Sequence, residues 1–246
     1  MTIDKIISQI SDVFKTLDKS KNGSNNNEML NFYSNFIKNG DLCFDVGANV
    51  GNRTDCFLKL GAKVICIEPQ DSCFKKLTRS FGKNSNVILI NKGISDKVGY
   101  INLHICEDCN VISTMSDRWI KDGRFSDGNK WTKNQLVPVT TLDDLIKEYG
   151  LPKFCKIDVE GFEYQVLKGL TKPISYLSFE FTREFFDDAR KCITHLLSIG
   201  RVEFNCSFGE SYQLVFPSWA TSEELYLKID SIKDELLWGD IYAKFL

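Results

Sequence analysis

The chain reads as an α/β fold, a doubly wound sheet built from successive βα units, and three observations carry that expectation. Apolar runs "LCFDV", "KVICIE" and "NVILIN" are separated by helical stretches that start near Gly51 and near Asp71; helices crossing over between parallel strands give this alternation. Two stretches, "DLCFDVGANVGNRT" and "FCKIDVEGFEYQVLKGL", end an apolar run in an aspartate and break into glycine before a helical pattern. With 246 residues, 43% of them hydrophobic and 26% charged, the chain can bury one sizeable core.

Taken in order, "MTIDKIISQISDVFKTL" places Ile3, Ile6, Ile7, Ile10, Val13, Phe14 and Leu17 on one helical face. It lacks the unbroken apolar segment of a signal peptide, and no run approaches the roughly 18 apolar residues of a membrane span, so a cytoplasmic protein is expected. The polar run "DKSKNGSNNNEM" reads as a mobile linker. Met29, Leu30, Tyr33, Phe36 and Ile37 follow at helical spacing and stop at Asn39-Gly40. Residues 1–40 are therefore expected to form a helical extension with a linker, and residues 41–246 the main domain. The extension is open to three roles: covering a site, pairing two chains as a homodimer, or docking another protein.

Beyond Asn91, "VGYINLHIC" alternates Ile101, Leu103 and Ile105 with Tyr100, Asn102, His104 and Cys106, as a half-buried strand does. Residues 107–134 show no clear period and are expected to be a lid or acceptor loop. "LVPVTTLDDLIKEYG" resumes with a strand and a helix, and "FCKIDV" is a strand. A helix over 162–170, the strand "ISYLSFEF", a helix over 183–199 and short strands over 202–206 and 212–216 complete the sheet. A last helix, boxed by Thr221 and Glu224, presents Leu225, Ile229, Ile232 and Leu236.

A net charge of -2 supplies no basic field for nucleic acid or anionic membranes. Of nine cysteines, Cys43, Cys66 and Cys155 sit inside apolar runs, where a thiol acts as a small hydrophobe in a reduced compartment. The pair Cys106 and Cys109 has no second pair at zinc spacing.

In an open parallel sheet, ligands bind beyond the carboxyl ends of the strands, which is where Asp45 falls. A dinucleotide turn wants G-x-G-x-x-G, but the three positions here hold Gly47, Asn49 and Asn52. That argues against a nicotinamide oxidoreductase, and no G-K-[ST] follows to make a Walker loop. An acidic entry suits a ligand that is cationic near the loop, as S-adenosylmethionine is. Glu68 stands about twenty residues after the turn, where an acid accepts hydrogen bonds from ribose hydroxyls, and Pro69 keeps Glu68 out of the helical region.

The stretches "FDVGANVGNRT", "IEP", "TLDDL", "KIDVEGFEYQVLKG" and "GDIYAK" resemble the FkbM family of S-adenosylmethionine-dependent methyltransferases, from about Asp41 to the C terminus. The resemblance implies a class I, Rossmann-like methyltransferase: a seven-stranded, mostly parallel sheet with the last strand antiparallel. It further implies O-methylation of a hydroxyl on a sugar, a glycan, a polyketide or a related small molecule. Asp45, Gly47, Ala48, Asn49, Gly51 and Thr54 match the cofactor loop. Glu68, with Pro69, matches the ribose acid. Asn91, Gly93 and Ser95 take the place where the adenine lies, and Asp158 faces the methyl group.

A hydroxyl needs a base, and Asp158 is the leading candidate. Glu160 lies before a helix, where favourable interaction with the helix dipole is an equal reading, and Glu180 is the acid on the next strand. Carboxylates converging there also admit a divalent metal with oxygen ligands. His104 is an alternative base or an outer-face residue, and His195 reads as a packed or surface histidine. Trp119 and Trp131 either stack on a sugar ring or anchor their loop. A cofactor-binding module without catalysis is the rival from another class, but it would have no need of the second aspartate.

Overall fold

The computed structural model describes residues 23–106, 109–126 and 129–246. The helix expected over residues 1–17 lies outside them. The described chain opens with α1 (Gly23–Tyr33) and then alternates β1 (Leu42–Val46), α2 (Asn52–Lys59), β2 (Lys63–Ile67), α3 (Asp71–Phe81) and β3 (Val87–Ile90). An excursion follows, comprising β4 (Gly93–Ile94), β5 (Gly99–Cys106), α4 (Asp117–Asp122) and β6 (Trp131–Thr140). Next come α5 (Leu142–Tyr149), β7 (Phe154–Ile157), α6 (Glu163–Lys168), β8 (Tyr176–Thr182), α7 (Phe186–Ile199), β9 (Val202–Phe208), α8 (Ser222–Asp230) and β10 (Trp238–Phe245).

Seven strands form one sheet in the order β3-β2-β1-β7-β8-β10-β9, and β4, β6 and β5 form a separate three-stranded sheet. In the large sheet β10 alone runs against the direction of the other six strands, the arrangement the resemblance implies. The strand order turns back on itself at β1, which pairs in parallel with β2 on one side and β7 on the other. Asp45 stands opposite Cys66 and Lys156 in those pairings. The two aspartate-ended strands are therefore neighbours, and their carboxyl ends open on one crevice.

Period-two alternation splits the strands between two cores. Phe44, Val46, Cys155, Ile157, Leu177 and Phe179 face one core, and Cys43, Val64, Phe154 and Tyr242 face the other. The second core is closed by the segment ahead of β1. Met29, Phe32, Tyr33, Phe36 and Ile37 are all buried in it; Phe36 stacks on Tyr242 with ring centroids 5.4 Å apart, and Tyr33 meets Phe57 and Phe154 edge-on.

Three expectations change. The polar run read as a linker is helical from Gly23, because the apolar face that begins at Met29 holds the whole helix against the sheet. Residues 212–216 form no strand. Tyr212 has a positive φ of 51°, and the Asn205 side chain brackets Phe216, donating to its carbonyl (2.9 Å) and accepting from its N–H (3.1 Å). The antiparallel strand is β10, so the chain ends in a strand rather than a helix. The Thr221–Glu224 capping box is present, but α8 stops at Asp230, and Ile232 and Leu236 lie beyond it.

The segment read as an unpatterned loop carries a 3-10 turn over Asn110–Ile112, α4 and the start of β6. Trp119 is buried against Phe125 and Phe185, and Trp131 donates its indole N–H to the Ile112 carbonyl at 2.9 Å. Both tryptophans anchor this segment. All nine cysteines are buried thiols outside any disulfide, and Cys106 and Cys109 pack with Ile112.

Candidate active site

The turn after β1 brings two strand tips into contact. Gly47, at φ 80°, donates its N–H to the Ile67 carbonyl at 3.0 Å. A Cβ at Gly47 would stand 1.8 Å from the Asp158 carbonyl oxygen, so only glycine lets the two aspartate-bearing turns approach. Asp45 is 1% exposed and accepts a 2.5 Å hydrogen bond from the Thr54 hydroxyl. Burial raises its pKa to about 6, against the opposing pull of that hydrogen bond.

Glu68 accepts N–H donors from Asn49 (2.8 Å) and Gln70 (2.7 Å), one on each carboxylate oxygen. Burial raises its pKa to about 7 despite those two donors. Behind it, the Asn91 side chain donates to the carbonyls of Glu68 (3.0 Å) and Pro69 (3.2 Å).

Asp158 lies just past β7, with its N–H on the Val46 carbonyl at 2.9 Å. Lys156, two residues earlier on the same strand face and 1% exposed, places its ammonium 3.1 Å from Asp158 and 2.8 Å from Asp240. The turn then bends through Glu160 (φ 54°) and Gly161 (φ 82°). Glu163 holds the bend by accepting the N–H groups of Val159 (3.1 Å) and Gly161 (3.3 Å), while the Thr114 hydroxyl donates to the Glu160 carbonyl at 2.6 Å.

This bend turns Glu160 toward Asp158 and Glu180. One carboxylate oxygen from each of the three lies within 4.8 Å of the others. Burial, followed by the charge of Asp158, holds the Glu160 carboxyl well above the usual range. For Glu180 the causes are burial and then Glu160. Such a cluster is a place to accept a proton or to hold a cation.

These groups open on a cavity of about 590 Å³, within the range of small-molecule sites. Of the residues expected from sequence, Asp45, Gly47, Ala48, Asn49, Glu68, Pro69, Asp158, Glu160 and Glu180 line it. Gly51, Thr54, Asn91, Gly93 and Ser95 do not; Thr54 and Asn91 act from behind through Asp45 and Glu68. His104 lies outside the cavity, its ring nitrogens 2.8 Å from Asn134 and 2.9 Å from Asp117. His195 sits on α7 with a ring nitrogen 2.9 Å from the Leu170 carbonyl.

Several contributors were not read from sequence. Lys156 had a signal, being the one charge inside the buried strand "FCKI". Arg53 lines the cavity and bonds Glu210 (2.8 Å) and the Tyr212 hydroxyl (3.1 Å), tying α2 to the loop after β9. That contact spans more than 150 residues, and no local pattern announces it. The cavity wall is acidic: among the described residues that line it, Asp45, Asp55, Glu68, Asp158, Glu160, Glu180 and Glu210 outnumber the basic Arg53 and Arg124.

A family model described as the methyltransferase FkbM domain matches residues 45–199. The hexuronic acid methyltransferase AglP of Haloferax volcanii is 27% identical over 161 residues, which are 64% of this chain and 62% of that protein. The chain thus spans less than two thirds of that relative's length. Among solved structures, a precorrin-6y C5,15-methyltransferase from Geobacter metallireducens aligns with a TM-score of 0.47 at 11% identity, covering 90% of this chain and 86% of that one. A TehB-like SAM-dependent methyltransferase from Corynebacterium glutamicum aligns at 0.46 and 11%, covering 96% and 97%. With the family's domain matched over more than half of its length, this chain belongs to the FkbM family of methyltransferases.

Proposed function

We propose that the protein uses S-adenosylmethionine to O-methylate a hydroxyl of a sugar or glycan, with Asp158 as the general base. The observation that carries this reading is the meeting of two acidic arms, Asp45 with Glu68 and Asp158 with Glu160 and Glu180, in one cavity.

The residues of the first arm fit the cofactor. An ionised carboxylate has about four acceptor positions, and backbone N–H groups occupy two of those on Glu68. Two remain for the adjacent hydroxyls of a ribose. The Gly47 to Gly51 turn wraps beside them, and the acidic wall favours a ligand that carries positive charge. S-adenosylmethionine, when bound, supplies a methyl group already activated on a sulfonium.

The second arm then needs to hold a hydroxyl in line and take its proton. Positioning of this kind is worth roughly 7–11 kcal/mol of barrier, and a placed base about 10²–10⁴ in rate. Lys156 holds the Asp158 carboxylate in one orientation, anchored from behind by Asp240. The relative from Haloferax volcanii is named for a hexuronic acid, which offers both hydroxyls and a carboxylate as methyl acceptors. The crowded acids here favour a neutral hydroxyl, because a second carboxylate would add like charge.

The test is transfer of labelled methyl from S-adenosylmethionine to a panel of neutral glycosides and hexuronides, followed by mild alkali. Label that survives alkali is an ether, as expected from hydroxyl transfer. Label released by alkali would make the product an ester and remove the need for a base.

A further inference from the structure

From the geometry of the strand tips we infer that Asp158, Glu160 and Glu180 bind a divalent cation through oxygen, at the acceptor end of the cavity. The inference deepens the proposed function and rests on it for the ion's role. An ion that takes oxygen ligands at about 2.1–2.5 Å can accept three oxygens lying up to roughly 5 Å from one another, and the three carboxylates present one oxygen each within 4.8 Å. Arg124 and Arg53 are committed elsewhere, Arg124 forked onto Glu184 at 2.5 and 2.6 Å and Arg53 held by Glu210. Lys156 offsets only part of the cluster's charge, because its ammonium is shared between Asp158 and Asp240.

A second, independent observation comes from neutral groups beside the cluster. Thr182 lies two residues from Glu180 on β8, hence on the same strand face, and lines the same cavity. It is 5% exposed, and its hydroxyl has no hydrogen-bond partner among the described residues. The indole N–H of Trp119, a residue 3% exposed that also lines the cavity, is likewise without one. Buried polar groups of this kind need partners. An indole N–H can only donate and so needs an acceptor, whereas a hydroxyl can ligate a cation or bond to its water. A hydrated cation therefore answers both the negative charge of the carboxylates and the unpaired Thr182 hydroxyl beside them. The all-oxygen donor set selects magnesium, manganese or calcium over softer metals. Placed there, the ion neutralises the acidic wall and lowers the pKa of an acceptor hydroxyl bound beside it.

The experiment is a Mn²⁺ titration of chelator-stripped protein, followed by electron paramagnetic resonance of the free ion and by thermal melting. The outcome expected is one ion per chain with a Kd of about 1 mM or tighter, and a rise in Tm. Glu160→Gln and Glu180→Gln should each weaken Mn²⁺ by roughly tenfold or more and remove the metal-induced rise in Tm. Removing one like charge should leave each variant folded, and Thr182→Val serves as a milder third variant. Absence of Mn²⁺ binding, or binding indifferent to the paired variant Glu160→Gln/Glu180→Gln, would overturn the inference. Titration with S-adenosylhomocysteine separates the two readings. Adenosyl-ligand binding without Mn²⁺ binding sinks the metal site alone, whereas Mn²⁺ binding without the adenosyl ligand sinks the cofactor reading.

Discussion

Two carboxylates of the same chemical type receive different surroundings in this site. Asp45 is enclosed and bonded to Thr54, whereas Asp158 is more open and faces Lys156 across 3.1 Å. The enclosed one holds its turn in place, and the open one can reach a substrate. Asp158→Asn keeps the size and removes the basic oxygen. It should lower the rate of methyl transfer by about 10²–10⁴ while leaving S-adenosylhomocysteine affinity within a few fold by calorimetry. An unchanged rate would move the base to Glu160 or Glu180. Asp45 and Asp158 were legible because a carboxylate closing an apolar run before glycine is a local pattern, and Glu68 because it closes the next apolar run about twenty residues after the turn and ahead of Pro69. Glu163 was not, since its role is to accept two backbone N–H groups of the bend, and the spacing of "DVEGFE" marks a break at Gly161 without saying which side chain holds it.

The strands that carry the site owe their positions to register. β1 and β7 are about a hundred residues apart in sequence and adjacent in the sheet, and Gly47 is what lets their turns touch. α1 contributes from the other side: Met29 and Asn26 line the cavity, and the Arg53 guanidinium lies 3.2 Å from the Met29 sulfur. Phe36, just past α1, is buried among Phe32, Phe154, Tyr176 and Tyr242. Phe36→Ala should therefore cost about 3–5 kcal/mol in urea unfolding; a cost below about 1 kcal/mol would show that the segment before β1 is peripheral. Helical periodicity exposed this apolar face, but the polar "SNNNE" concealed how far the helix extends, because tertiary contacts override weak propensity.

Acidic groups buried in the site leave a signature in the stability of the whole molecule. Burial holds Asp45 near 6 and Glu68 near 7, above their ordinary 3.8 and 4.5. Between about pH 4.5 and 7 the folded state binds more protons than the unfolded one at these positions, so their contribution to stability falls as pH rises through that window. Unliganded protein should accordingly be more resistant to urea at pH 5.5 than at pH 8. Glu68→Gln should flatten part of this slope and raise stability at pH 8 by on the order of 1–3 kcal/mol, while weakening S-adenosylhomocysteine. The reverse pH trend, or no response to the substitution, would count against a buried Glu68. Among the described residues no helix is long and apolar enough to cross a membrane.

Local chemistry already determined a good deal: the βα alternation, the aspartate-glycine turns, the acid after β2 and the capping box of α8 depend on neighbours a few residues away, and each could be read in order along the chain. What required the folded molecule was every relation between distant segments. The antiparallel β10 replaced the strand expected at 212–216 because pairing with β8 and β9 is settled across the sheet. Lys156 acquired its second carboxylate only when β10 brought Asp240 beside it. Asp158, Glu160 and Glu180 became one cluster because β7 and β8 pair in register and a bend with positive φ turns Glu160 inward. Side-chain type and spacing are short-range properties of a chain, whereas charge proximity and burial exist only after the strands have chosen their partners.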